Sequence, residues 1–404
     1  MIKQILTKNI GKINPLAIDD YIDKGGYQII DNLADKNKLD LIKRVEDVKL
    51  YGRGGASFLT YLKMRDVYEE NGEKYLICNA DEGEPGNFKD KYLLENNPHQ
   101  LIEGMIIAAM IVGVEIGYIY IREEYQKAKD ILEIALASAR EKKYLGENIW
   151  GFKFDIVLFS GAGSYLCGEE TALISSLEGI RGKTREKPPF PTKKGLFEKP
   201  TLLLNVETLS NLPHIFDNQE YPIYGTKLIS FSGNTENCGV YEVANDISIK
   251  KIIDEFSTAS KIKAVILGGP SGSIVPYEKT DINVNVLRLE DRTINIGAGA
   301  IIIIDQWQDI VKVVKNNIDF FIHESCGKCT PCREGLTQIA LLLDKFIKNE
   351  ATREDMLLIE QLAKTISLSS YCGLGQYSVG TLLTSLLYFL DEYEKRIVKK
   401  GEIS

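Results

Sequence analysis

Lys74-Tyr-Leu-Ile-Cys-Asn-Ala-Asp-Glu-Gly-Glu-Pro-Gly86 decides how this chain folds. Its first five residues form a short apolar run that suits a strand, and the run stops at an acidic loop with turn-forming glycines. Outward from it the pattern repeats. The spacing predicts a helix over 98–112, a strand over 117–122, a helix over 124–142, a strand over 154–159 and a helix over 169–177. Strands alternating with helices predict an α/β domain with a mainly parallel sheet. Ligands of such sheets gather beyond the carboxyl ends of the strands. Two post-strand loops therefore stand out: 79–86, and Ser160-Gly161-Ala162-Gly163-Ser164-Tyr165.

The flanks differ in character. Residues 1–45 are mixed and charged, with a helical pattern broken at Pro15 and at Gly25-Gly26. Residues 179–200, rich in Pro and Lys, read as an exposed functional loop. From 226 to 305 short strands, glycine turns and one helix over 247–256 predict a small α+β unit. From Asp309 onward the periodicity is helical, as in 339–347 and 379–393. The most apolar stretch, 101–121, contains Glu103 and Glu115 and reads as a buried helix running into a strand, not as a membrane span. A net charge of -8, from 49 Lys and Arg against 57 Asp and Glu, argues against a duplex nucleic-acid binder. Residues 1–9 carry no apolar signal core, so the expected location is cytoplasmic.

Seven cysteines are present, and four of them lie in the last quarter. Cys326-Gly-Lys-Cys329-Thr-Pro-Cys332 places three thiolates two residues apart, and Cys372 follows at a distance. Three ligands wrapping one face and a fourth closing it suit a [4Fe–4S] cluster. The alternatives are a Cys₄ zinc site, which usually pairs two separated CxxC hairpins, and unligated thiols. Cys78, Cys167 and Cys238 read as small buried apolar residues.

Tyr51-Gly52-Arg53-Gly54-Gly55-Ala56-Ser57-Phe58 lacks the GxGxxG fingerprint. Adjacent glycines still let backbone N–H groups approach a flat or phosphorylated ligand, with Arg53 and Lys63 as candidate phosphate partners. A structural glycine turn is the alternative. Carboxylates in Asp81-Glu82-Gly83-Glu84 suit ribose hydroxyls and ring N–H groups, or form a solvated acidic turn. Glu169 and Glu170 stand at a helix start, where acids also complement the dipole. His99, His214 and His323 show no ligand spacing.

Together these segments resemble the family of flavin- and NADH-binding subunits of respiratory complex I, soluble NAD-linked hydrogenases and formate dehydrogenases. The matching pieces are 52–55, 79–86, Cys167-Gly168-Glu169-Glu170-Thr171-Ala172-Leu173, Lys187-Pro188-Pro189-Phe190-Pro191, Asn205-Val206-Glu207-Thr208-Leu209 and 324–335, in family order. The resemblance implies an N-terminal helical extension (1–48) and a Rossmann-like α/β domain for FMN and NAD(P)H (49–222). A β-grasp (SLBB-like, α+β) domain (223–308) and a C-terminal helical bundle holding the [4Fe–4S] cluster (309–404) follow. Gly54, Gly55, Lys63, Asn79, Asp81, Glu82, Tyr165, Gly168, Glu169 and Asn205 match the family's flavin positions, within a loop that also includes Gly52 and Arg53. Phe58, Lys63, Glu84, Glu170 and Phe190 match its nucleotide contacts.

The implied function is diaphorase-type electron transfer in a soluble multi-subunit oxidoreductase, between NAD(H) or NADP(H) and iron–sulfur clusters through FMN. A hydride carries two electrons and a cluster takes one, so a flavin must divide the pair, and no side chain is needed as nucleophile or strong base. A single cluster motif means that electrons leave through partners. The resemblance implies a small thioredoxin-like [2Fe–2S] subunit and a larger iron–sulfur or catalytic subunit. Three positions depart from the family: Ser57 and Tyr61 replace glycines, and Leu204 replaces an asparagine. Tyr61 is expected to project into the nucleotide's space, as a platform or an obstruction; the alternative is that the backbone turns it outward to solvent. The alternative function is a non-catalytic iron–sulfur scaffold that has lost nucleotide oxidation.

Overall fold

β1 (Tyr75–Ala80) lies between β2 (Ile116–Ile121) and β5 (Thr201–Asn205), parallel to both. Beyond β2 come β4 (Phe152–Ser160), also parallel, and β3 (Gly146–Ile149), antiparallel on the edge, giving the order β3-β4-β2-β1-β5. The chain thus steps from β1 to β2 to β4 on one side and then returns to lay β5 on the other. That reversal is a topological switch point, where open α/β sheets bind their ligands. The register aligns Asn79 with both Tyr120 and Asn205, so the carboxyl ends stand abreast.

The computed structural model describes residues 4–217, 219–284, 294 and 296–398. The chain divides into two units. One comprises Met1–Gly83, Phe88–Ile229 and Val240–Asn245; the other comprises Glu84–Asn87, Ser230–Gly239 and Asp246–Ser404. Among the described residues no helix is long and apolar enough to cross a membrane.

In the first unit the helix Pro98–Val112 is buried along its whole length, which explains its mostly apolar sequence. Pro98 pre-sets its first turn and Gly113 ends it in the left-handed region. Each large aliphatic side chain buried there contributes about 1.5–3 kcal/mol. Three short helices, Ile18–Asp23, Gln28–Ala34 and Lys38–Asp47, cover this core. Tyr21 donates to Glu103, and Tyr27 Oη lies 2.9 Å from His99 Nδ1, so the first residues are tied by buried polar contacts. Further along, Glu242 on β7 (Gly239–Ala244) accepts from the backbone N–H groups of Ile5, Leu6 and Thr7 at 2.9–3.0 Å. It also accepts from the hydroxyls of Thr7 and Thr226.

In the second unit β10 (Ala300–Asp305) pairs parallel with residues 230–233 of β6 (Thr226–Gly233) and antiparallel with β8 (Ile262–Leu267). β8 pairs antiparallel with β9 (Ser273–Pro276). The helices Ile310–Glu324, Thr330–Lys348, Arg353–Ser369, Gly373–Tyr377, Gly380–Tyr388 and Leu390–Glu394 follow. The expected single helix over 379–393 is two, broken at Phe389. No Gly or Pro marks that break. It is held by tertiary contacts of Tyr393, whose hydroxyl meets Ser385 Oγ at 2.7 Å and whose ring packs edge-on against Phe346. Cys78 and Cys167 are buried as expected, whereas Cys238 is exposed, on the loop before β7 with its thiol toward the Thr235 carbonyl.

Candidate functional site

At the switch point the carboxyl ends of β1 and β5 present two asparagines. Asn79 Nδ2 donates to the Gly168 carbonyl (2.9 Å), and its Oδ1 accepts from Asp81 N (3.0 Å), which fixes the start of the acidic loop. Asn205 caps the helix Val206–Ser210 through Glu207 N (3.0 Å) and donates to Asp90. The glycine loop lies on this edge. A Cβ at Gly54 would stand 3.2 Å from the Asn205 Cβ, so a larger residue there would press the loop backbone away from Asn205 by a few tenths of an ångström. Opposite, the turn Tyr165–Gly168 closes against Gly83, whose absent side chain leaves room for the Tyr165 ring. Gly54, Asn79, Asp81, Tyr165, Gly168 and Asn205 are thus gathered around one strand edge, a cradle built from backbone and small side chains.

Beneath it lies a buried ionic cluster that sequence reasoning did not single out. Lys89 Nζ sits 2.6 Å from Asp90 Oδ1 and 3.0 Å from Glu207 Oε2, all three side chains nearly inaccessible. Burial alone would strip the proton from Lys89, but the two carboxylates hold it on. Arg53 joins this layer. Its backbone N–H donates to Thr208 Oγ1 (2.8 Å), its guanidinium donates to the Tyr224 carbonyl, and it is 5% exposed. The expectation that Arg53 offers its charge to a phosphate is therefore corrected: the guanidinium supports the loop from inside. Glu82 is likewise committed, accepting from Asp90 N and Lys91 N at 3.0 Å at the start of the helix Lys89–Asn96. Burial, reinforced by Asp90, pushes its carboxyl up to about 7.

A second ionic group flanks the cradle. Lys63 Nζ meets Glu170 Oε2 at 2.9 Å, and Lys187 Nζ bridges Glu170 Oε1 (2.7 Å) and Glu169 Oε1 (2.8 Å). Glu169 also caps the helix Glu170–Leu177 through Thr171 N and Ala172 N. Burial would raise the Glu170 carboxyl, yet Lys63 and Lys187 together hold it at about 2. Phe58 and Phe190 are half exposed, at 50% and 55%, large apolar rings left open to a ligand. Lys187 is legible in the sequence only as part of its proline-rich motif; nothing local marks it as the partner of two acids.

Glu84 belongs to the second unit, where Ser271 takes its carboxylate. A cavity of about 920 Å³ in the same unit is lined by Pro85, Gly86, Pro270, Ile302, Phe320 and His323.

The four C-terminal cysteines lie at one end of the helical bundle, with Cys332 in electrostatic reach of the other three. Cys329 precedes the helix Thr330–Lys348, Cys332 lies in its first turn, and Cys372 precedes the helix Gly373–Tyr377. Gly327, at φ +74°, makes the turn between Cys326 and Cys329. Lys328 Nζ rests 5.2 Å over the Tyr371 ring, drawing the two cysteine segments together. Burial, then the neighbouring Cys329, Cys372 and Cys326 thiols, push the Cys332 thiol up to about 11. Among the described residues no three His, Cys, Asp or Glu converge as for a single metal ion.

A small-residue cradle at a parallel-sheet switch point, with a four-thiol bundle end elsewhere in the chain, defines a flavin- and iron–sulfur-carrying protein. Residues 45–214 match the family model described as the Nuo51 FMN-binding domain. Residues 312–396, which include all four cysteines, match the NADH-ubiquinone oxidoreductase-F iron-sulfur binding region. The chain is 38% identical over 413 residues to the F subunit of NADH-quinone oxidoreductase from Aquifex aeolicus, covering 99% of this chain and 96% of that one. It is 38% identical over 412 residues to HndC, a subunit of the NADP-reducing hydrogenase of Solidesulfovibrio fructosivorans, covering 98% and 84%. The crystal structure of an NAD⁺-reducing [NiFe]-hydrogenase in the H₂-reduced state superposes with a TM-score of 0.86 at 30% identity, over 99% of this chain and 68% of that one. The chain belongs to the family of NADH-quinone oxidoreductase F subunits, a mixed α/β FMN-binding fold with an iron–sulfur region.

Proposed function

We propose that this chain is the diaphorase subunit of a multi-subunit oxidoreductase, passing electrons between NADH or NADPH and iron–sulfur clusters through FMN. The observation that carries this reading is the strand-edge cradle, Gly54 laid against Asn205 at the switch point. Gly52, Gly54, Gly55, Lys63, Asn79, Asp81, Glu82, Tyr165, Gly168, Glu169 and Asn205 would hold FMN, with Arg53 and Glu82 acting through the loop framework. Bound FMN supplies the conversion of a two-electron hydride into single electrons that a cluster accepts. Phe58 and Phe190 offer apolar faces to the nucleotide, Glu84 and Glu170 accept its hydroxyl protons in hydrogen bonds, and Lys63 orients Glu170. The protein's work is to orient and to exclude water, so no general base is required.

Cys326, Cys329, Cys332 and Cys372 would hold one [4Fe–4S] cluster. Residues 49–222 and 309–404 are read as the flavin and cluster domains, with 1–48 as an N-terminal extension. Residues 223–308 are read as a β-grasp domain, on the strength of its mixed sheet with one helix. The partners proposed are a thioredoxin-like [2Fe–2S] subunit and a larger iron–sulfur or catalytic subunit, in the cytoplasm. Of the three departures from the family pattern, Leu204 is buried in the core of the first unit and Tyr61 packs against that core, whereas Ser57 takes a left-handed backbone that glycine would adopt more readily. An anaerobic visible spectrum of the purified protein with and without NADH or NADPH tests the proposal. Flavin bands that bleach on addition of nucleotide support it. A cluster shoulder without flavin bands would establish the scaffold alternative instead.

A further inference from the structure

Asn205 is held in a closed ring of polar groups drawn from separate segments of the first unit. Its Oδ1 accepts from Glu207 N at 3.0 Å, and its Nδ2 donates to Asp90 Oδ2. Asp90 Oδ1 faces Lys89 Nζ at 2.6 Å, and Lys89 Nζ lies 3.0 Å from Glu207 Oε2, which returns the ring to its start. The members are pinned from outside as well. Glu207 Oε1 accepts from Leu228 N at 3.0 Å, and Asp90 N donates to Glu82 Oε1 at 3.0 Å. The Lys89 and Glu207 side chains are fully buried and that of Asp90 nearly so, which keeps water from competing for these contacts.

The ring admits one orientation of the Asn205 amide. A main-chain N–H only donates, and a carboxylate set between an ammonium and an amide only accepts. The amide oxygen must therefore face Glu207 and the amide nitrogen Asp90. Burial pushes the Asp90 carboxyl up, and the Lys89 ammonium is the chief influence opposing that rise. The amide so fixed belongs to the cradle: a Cβ at Gly54 would stand 3.9 Å from Asn205 Nδ2, so the glycine loop lies against this group.

We infer that Asp90, held in place by Lys89, is a positioning residue that fixes the Asn205 amide for FMN binding. The inference rests on the reading of Asn205 as a flavin contact. Asp90 has both oxygens engaged inside the ring and acts through Asn205. An amide at position 90 cannot replace it. It has one oxygen and one NH₂ group, and the Lys89 ammonium takes the oxygen. The NH₂ group then meets the Asn205 NH₂ group, donor against donor. Turning Asn205 over only moves the conflict to the Glu207 N–H.

The experiment measures the Kd for FMN, by quenching of flavin fluorescence, on the full chain stripped of its flavin, with iron content and thermal midpoint recorded alongside. The variants are Asp90→Asn, Asn205→Ala, these two combined, and Asp90→Asn combined with Lys89→Gln. The last removes both charges of the buried pair together yet keeps the donor conflict at Asn205, so it decides the matter where Asp90→Asn alone does not fold. Both variants that carry Asp90→Asn beside an intact Asn205 are expected to raise Kd about 10- to 100-fold, with iron content unchanged. Asn205→Ala is expected to raise Kd comparably, and Asp90→Asn to add nothing in that background. A Kd within about 2-fold of the parent in the Asp90→Asn variants, beside a raised Kd in Asn205→Ala, overturns the inference. So does an additive double variant, which is what a merely structural role of Asp90 would give. A normal Kd in Asn205→Ala removes the flavin reading of Asn205 itself, and the inference with it.

Discussion

Lys187 Nζ lies 2.7 Å from Glu170 Oε1, a contact between the proline-rich loop and the helix start seventeen residues before it. Lys63 holds the other oxygen of the same carboxylate. Glu170 is thus a fixed, fully ionised acceptor in a partly buried place.

That arrangement predicts a pH-dependent cost when Lys187 is removed. The folded Glu170 carboxyl, at about 2, lies below its unfolded value near 4.3, so its stabilisation is present above that unfolded value and fades as pH falls toward 2. Lys187→Met is expected to lose about 1–2 kcal/mol at pH 7, discounted for the partial exposure of the pair. Urea midpoints of parent and variant measured from pH 7 downward should converge below about pH 4. A gap that stays constant to pH 3 would mean that Lys187 acts through packing.

Ser57 occupies a backbone conformation, φ +49°, that costs a non-glycine residue about 1–2 kcal/mol. Ser57→Gly is therefore expected to raise stability by up to about 1 kcal/mol after the greater freedom of the unfolded glycine is subtracted. Ser57→Val is expected to lower it. Thermal midpoints of the three proteins check the order Gly above Ser above Val.

Tyr61 lies in the first turn of the helix Thr60–Tyr68, packed against the core of the first unit, with the Arg65 guanidinium 5.8 Å over its ring. We propose that the ring serves packing, and not as the platform or the obstruction expected from the sequence. Tyr61→Gly is expected to leave NADH and NADPH affinity within about 2-fold and to lower stability by roughly 1–2 kcal/mol, from lost burial and a glycine in the helix. Calorimetric titration separates these. Tighter nucleotide binding by the variant would restore the obstruction idea.

Cys372 stands forty residues after Cys332, at the head of its own short helix. Cys372→Ala is expected to cost the chain its iron while flavin content stays at the parental level, because the cradle residues belong to the first unit. Iron and flavin per chain, measured together, decide it; a full iron complement would take Cys372 out of the ligand set.

Glu242 gathers five donors at the N-terminal segment and Thr226. Glu242→Ala leaves them without their acceptor and is expected to cost about 3 kcal/mol or more. Limited proteolysis should then cut within residues 4–12 first, and Glu242→Gln should give an intermediate rate.

Much of this is legible in the sequence. The helix Pro98–Val112 can be read to the residue because its punctuation is local: a proline at one end and a glycine at the other. The cysteine group is legible because three of its four thiols share one short loop. Directions and long-range partners are not. Arg53 sits in a glycine loop that points to phosphate, yet turns inward because Glu207 and the Tyr224 carbonyl lie beneath it. Lys89 and Glu207 meet across the fold with no local signal in either segment. Glu84 and Ser271 are separated in the same way, and only the folded turn joins them.

The close approach of Gly380 to the Gly272 carbonyl carries a lesson for protein engineering. A chimaera that joined the sheet of this chain to the helical bundle of a relative would place whatever residue the relative carries at that spot against a backbone oxygen, with 2.4 Å for its Cβ. Sheet and bundle are therefore best transplanted as one cassette, 226–398, with the splice made outside the seam. A graft cut between β9 and the helix Gly380–Tyr388 needs its glycine brought along.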